Sequence, residues 1–114
     1  MSDPLLVIDV AHPSRTQEAV EQELLDALNQ VRSSRVLRLI KVIHGYGSSG
    51  RGGMTKTVVQ NWLFRRRRAV REILPGESYG ILDPATQTMR AEVGAYPDPD
   101  LGNSNGGITL VWVW

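Results

Sequence analysis

A chain of 114 residues, 41% of them hydrophobic, closes one modest core and has no room for a cofactor domain beside a substrate domain. It contains no cysteine, which excludes a disulfide framework, a thiolate zinc site and a thiol nucleophile. Its net charge of +1 conceals a segregation: no Asp or Glu occurs from Ala27 to Arg71, while that stretch holds 11 of the 13 basic residues, a local positive field suited to a polyanion.

The opening "MSDPLLVIDV" lacks a basic region followed by a long apolar core, and no stretch approaches the roughly 20 apolar residues a bilayer crossing needs. A soluble, cytoplasmic chain without a membrane partner is the expectation. "LLVIDVA" is short, apolar and β-branched, and predicts a buried strand over residues 5–11. Ser14 with Gln17 three residues later has the form of a capping box. Val20, Leu24, Ala27, Leu28 and Val31 then share one face of a helix that Ser33 and Ser34 end. Val36, Leu39, Ile40, Val42 and Ile43 make a second, more central strand. A helix between two strands implies a parallel pair with a right-handed crossover.

After the Gly-rich "HGYGSSGRGG", Thr55 is the expected N-cap of a second helix, with Met54 stapled onto Val59 and a buried stripe of Val58, Val59, Trp62 and Leu63. "VREIL" reads as a strand, and "SYGIL" and "TMRAEV" as a hairpin about the turn-forming "DPATQ". In "GITLVWVW", Ile108, Leu110, Trp112 and Trp114 alternate with Thr109, Val111 and Val113. Between these lies a Pro-, Gly-, Asp- and Asn-rich loop. The order predicts a single two-layer α/β domain, a mixed sheet with two main helices and an extra C-terminal hairpin and loop.

The Gly-rich stretch contains Gly45-x-Gly47-x-x-Gly50, the letters of a dinucleotide turn, but the predicted helix start near Thr55 is too distant. Gly50-Arg51-Gly52 stands where a P-loop needs Gly-Lys-Ser/Thr, so the phosphate-binding lysine and the magnesium-binding hydroxyl are missing. No nucleotide cofactor is expected. Glycines still let a backbone lie close to a ligand, and a following helix start favours an anion. With Arg51 and Lys56 nearby, the loop suits a phosphodiester.

"VIHGYG" followed by "VVQNWL" resembles the second motif of the Smr (small MutS-related) domain family, a His-Gly-x-Gly turn between a hydrophobic strand and a helix with a Trp-Leu pair. "NGGITLVWV" is similar to the family's final strand. The resemblance covers roughly residues 5–74 and 105–113 and leaves residues 76–104 as an apparent insertion. The family's first motif, Leu-Asp-x-His-Gly, is matched by Ile8-Asp9-Val10-Ala11-His12-Pro13. Counting from Asp9 puts Ala11 at the His position, and counting back from Glu18-Ala19 puts His12 there. A one-residue bulge between them would reconcile the two counts.

What the resemblance implies is binding to DNA or RNA and, in some members, nicking or endonuclease activity. Cutting a phosphodiester needs charge stabilisation and a proton-transfer group, for which His12 and His44 are the only histidines. Asp9 at a strand end is placed to hold a divalent metal, to orient a histidine or merely to cap a turn. His12 reads equally as a turn residue before Pro13, and His44 as a packed residue bonded to the loop. The catalytic candidates are therefore Asp9, His12 and His44. The backbone-binding candidates are Gly45, Tyr46, Gly47, Gly50, Arg51, Lys56 and the run Arg65, Arg66, Arg67 and Arg68, with Tyr46 able to stack on a base. No ligand cluster marks a dedicated metal site, and a non-catalytic module that binds RNA or a protein is the alternative.

Overall fold

The computed structural model describes residues 3–46 and 52–114. Four strands form one mixed sheet in the order β1-β2-β4-β3: β1 (Leu5–Asp9), β2 (Leu39–Ile43), β3 (Glu72–Pro75) and β4 (Ile108–Trp112). β1 and β2 are parallel, with Leu5 opposite Leu39 and Asp9 opposite Ile43, while β4 runs antiparallel to both β2 and β3. The predicted parallel pair and mixed sheet are present. Both strands are shorter than their apolar runs, because the chain leaves the ladder at Asp9 and joins it only at Leu39.

Two helices cover one face. α1 (Gln17–Ser33) buries the five residues its periodicity singled out, Val20, Leu24, Ala27, Leu28 and Val31. Its N-cap is Thr16, whose hydroxyl accepts from Ala19 N, and not Ser14; a threonine two residues nearer the apolar stripe caps the first turn directly. Ser34 caps the other end, its hydroxyl accepting from Val36 N and Leu37 N. α2 (Gly52–Arg65) starts three residues before the expected cap, so Thr55 is buried in its first turn and Met54 is exposed and not stapled. Val59, Trp62 and Leu63 pack with the α1 stripe and with Val10, Ile40, Val42, Val111 and Val113. These helices and the sheet make the two-layer α/β core.

The opposite face corrects the predicted hairpin. Residues 84–93 form a helix, α3 (Pro84–Val93), rather than a strand. The Asp-Pro pair that suggests a turn is an N-cap followed by a first-turn proline: the Asp83 carboxylate accepts from Thr86 N at 2.9 Å and from the Thr86 hydroxyl at 3.0 Å. Ala85, Met89 and Val93 recur at helical spacing and pack with Leu39, Leu74, Leu110 and Trp112. The chain leaves α3 at Gly94, whose φ of +89° favours glycine. Gly76 permits another close approach, since a Cβ there would lie 1.8 Å from Asn105 O. No helix among the described residues is long and apolar enough to cross a membrane.

Candidate nucleic-acid interface

β1 and β2 are parallel, so their C-terminal ends share one edge of the sheet, and Val10 N still donates to Ile43 O at 3.0 Å just beyond the ladder. At that edge the chain turns back on Asp9. One carboxylate oxygen accepts from Ala11 N at 2.9 Å and His12 N at 3.0 Å, and the other lies 2.9 Å from His12 Nδ1. The bulge expected between Asp9 and His12 falls in this turn, just after the strand ends. Burial alone would raise the Asp9 carboxyl, but the bonds from Ala11 and His12 outweigh it and hold the group below its ordinary value. A carboxylate on Nδ1 fixes a tautomer whose Nε2 is free to accept, and the His12 side chain is 70% exposed.

His44 is placed differently. It is fully buried, with Nδ1 2.7 Å from Gly45 O and Nε2 2.8 Å from the Thr109 hydroxyl. A carbonyl can only accept, so Nδ1 carries the proton and Nε2 accepts from Thr109. Burial is the largest influence on this imidazole and lowers its pKa, which favours the neutral ring. Strand alternation puts Asp9 and His44 on opposite faces of the sheet: Val10 and Val42 belong to the α1/α2 side with His44, while Asp9 neighbours Ile43 on the α3 side. The two motifs share an edge without sharing a cavity.

The start of the Gly-rich turn is fixed by β4's approach. His44 N and Gly45 N both donate to Gly107 O, at 2.9 and 3.0 Å, and Gly45 has φ +81°. Tyr46 is 66% exposed, its ring lying over the Gly106–Gly107 backbone. Lys56 Nζ donates to Gly106 O at 2.9 Å and lies 3.8 Å from the Glu77 carboxylate, which ties α2 to this loop. Gly47, Gly50 and Arg51 lie outside the described residues.

A buried network that the sequence pattern does not announce reaches the same turn. Lys41, in the middle of β2, donates to Asp98 at 2.8 Å and Asp100 at 2.6 Å, and the Asp98 side chain is wholly buried. The Tyr79 hydroxyl lies 2.9 Å from both the Tyr96 hydroxyl and the other Asp98 oxygen. Asp100 also accepts from Asn105 Nδ2, and Asn105 Oδ1 accepts from Gly107 N at 2.8 Å. A hydrogen-bonded path thus leads from Lys41 to the residue that holds His44 and Gly45. The available signal was a lysine inside an otherwise apolar strand with "YPDPD" downstream.

The Arg run lies at the other end of the sheet. A helix that follows a strand and returns beside it brings its C-terminus to the strand's beginning, so Arg65 to Arg68 after α2 join Arg32, Arg38 and Arg71 there. Arg32 donates to Ala69 O, and Arg38 to Trp114 O. Four guanidinium groups stack on rings: Arg38 on Trp114, Arg66 on Trp62, Arg67 on Phe64 and Arg71 on Trp112. Arg65 pairs with Glu21 and Arg71 with Glu92. Among the described residues no carboxylate lies within ion-pair distance of Arg35, Arg66, Arg67 or Arg68, and no group of three or more His, Asp or Glu side chains converges as metal ligands.

The fold has a known counterpart. The chain superposes on the crystal structure of the Smr domain of Thermus thermophilus MutS2 with a TM-score of 0.54, over 98% of this chain and 99% of that one, at 18% sequence identity. The chain folds as an Smr-like domain. No family model and no curated sequence matches it. In this Smr-like fold His44 to Tyr46 and the Asp9 turn occupy one edge, the Trp62-Leu63 pair lies in the core, and the Gly106–Gly107 segment before the last strand supports His44 and Gly45.

Proposed function

We propose that this Smr-like domain binds the phosphodiester backbone of DNA or RNA and that the Asp9–His12 pair cuts or nicks it. The observation that carries the reading is the solvent-facing pair at the same edge as His44 to Tyr46 and the start of α2. The Asp9 carboxylate holds the His12 ring so that Nε2 can take a proton from an attacking water as the new O–P bond forms. The P–O bond to the departing ester oxygen breaks, and that oxygen leaves with a proton from the imidazolium or from solvent. The first-turn N–H groups of α2 provide a surface for the phosphoryl oxygens. His44 serves as a positioning residue, bonded through both nitrogens beneath the turn. Gly45 and Tyr46 meet the backbone or a base. Lys56 braces the loop first and contributes charge second.

A binding module without catalysis is the second reading, favoured by the closure of His44. One experiment separates the two. Purified domain is incubated with supercoiled plasmid and with structured RNA, with and without a divalent metal. Cutting by the parent protein that is lost in His12→Ala and reduced in Asp9→Asn, with binding retained, supports the enzyme. Binding without cutting in any arm supports the module, and absence of binding removes the enzyme and the nucleic-acid-binding module, leaving only a module that binds a protein.

A further inference from the structure

We propose that the groove between α2 and β3 seats an unpaired base, so that the chain prefers single-stranded nucleic acid to continuous duplex; this rests on the nucleic-acid reading above. The groove has a volume of about 370 Å³ and is lined by Gln60, Leu63, Phe64, Arg67, Glu72 and Ile73, among others. That is the low end of the range of small-ligand pockets and suits one heterocycle. Phe64 supplies a stacking surface. It lies off the buried stripe of Val59, Trp62 and Leu63 and leaves 62% of its surface exposed, so the core does not need it. The Arg67 guanidinium lies 4.0 Å from its ring centroid, and flat cationic and aromatic groups together make the platform on which bases stack.

Charge assigns the rest of the strand. Glu72 lines the groove together with Arg67, which is stacked on Phe64, and Arg71, which is paired with Glu92, so the groove's charges are largely balanced and an uncharged base fits it better than a phosphate. Arg67 lines the groove and Arg66 and Arg68 flank it in sequence, and none of the three has a carboxylate within ion-pair distance among the described residues, so the segment offers unneutralised cations to the phosphates that flank the base. Gln60, one turn before Phe64, offers an amide to the base edge. A protein strand is the competing occupant, because β3 is an edge strand. β3 has only four residues and ends in Pro75, which has no N–H to donate, and both features discourage strand addition.

The test is fluorescence anisotropy with labelled single-stranded RNA, single-stranded DNA and a blunt duplex of the same sequence, using the parent chain, Phe64→Ala and Phe64→Trp. Phe64→Ala should weaken binding to the single strands about tenfold, the worth of one stacked base. It should leave duplex binding and the salt dependence unchanged, and Phe64→Trp should retain the parent affinity. The RNA and DNA arms show which strand is preferred. Equal losses on single strand and duplex, no loss on either, or a parent chain that prefers duplex would overturn the groove assignment while leaving backbone binding intact. A parent chain that binds none of the three overturns the nucleic-acid reading itself.

Discussion

Replacing Lys41 with Met leaves two carboxylates facing a hole in their charge balance. Lys41 bridges Asp98 and Asp100 at 2.8 and 2.6 Å; the lysine and Asp98 are nearly or wholly closed to solvent, while Asp100 is partly exposed. Removing one member of a buried ion pair typically costs about 3–5 kcal/mol, because the remaining charge stays desolvated and unmatched. Against the roughly 5–15 kcal/mol available to a domain, that is about a fifth of the total or more. At about 4 °C per kcal/mol, the melting temperature should fall by roughly 12–20 °C. Urea unfolding followed by tryptophan fluorescence reads the same loss. Lys41→Met with Asp98→Asn should be less damaging than the sum of the single changes.

The pH dependence has a definite sign. Burial alone would lower the Lys41 pKa, but the bonds to Asp100 and Asp98 raise it above its ordinary 10.5; its stabilisation is complete below that value and is lost as pH rises through the folded one. The bond from Lys41 is the largest influence on Asp100 and lowers it below 3.8, so that contribution is present above 3.8 and is lost as pH falls through the folded value. The gap between parent and Lys41→Met should therefore be widest between these limits. A loss under about 1 kcal/mol at neutral pH, within the range of a surface pair, would refute the assignment of Lys41 as the anchor of the 94–107 loop.

His44 is held neutral chiefly by burial, so its stabilisation is complete above its ordinary 6.5 and is lost as pH falls through a lower folded value. Melting temperature between about pH 7 and pH 5 should decline more steeply in the parent than in His44→Asn, whose side chain cannot take up a proton there; parallel slopes would show that His44 is not the titrating group. Arg35→Ser with Arg68→Ser should lower nucleic-acid affinity and reduce the slope of log K against log salt by about one for each phosphate no longer neutralised, with urea stability unchanged. Arg66→Ser, which gives up the stack on Trp62, should in addition cost about 0.5–1 kcal/mol in the urea titration.

The elements legible in the sequence were those whose periodicity had one physical meaning. Val20 through Val31 could only be a helix face, and the alternation from Ile108 to Val113 divides the two cores. α3 was missed because Asp-Pro begins a turn and caps a helix with the same two residues; the tie-breaker was the Ala85, Met89, Val93 spacing. For Asp9 and His12 the sequence offers both a turn and a carboxylate that orients a histidine, but which histidine Asp9 meets is decided by the geometry of the turn, which brings His12 Nδ1 onto the carboxylate. The placement of His44 follows from Thr109, 65 residues away, and a contact of that separation is set by topology alone.

Topology also divides what the sequence presents as one basic block. Lys41 is spent inside the sheet, Lys56 braces the Gly106 loop at one end, and Arg65 closes the far end of α2 with Arg66 to Arg68 just beyond it. The 14 residues of that helix span about 21 Å at 1.5 Å per residue. A duplex lying along it would need about six base pairs, at 3.4 Å each, to touch the Arg end and the Asp9–His12 end together. The helix dipole and the rings of Trp62, Phe64, Trp112 and Trp114 already account for arginines at that end in a protein that binds nothing. Arg35 and Arg68, which have neither ring nor carboxylate among the described residues, are therefore the positions where positive charge has no internal use. On the proposed function, binding at their end and cutting at the Asp9–His12 end become one event only on a substrate long enough to reach across α2.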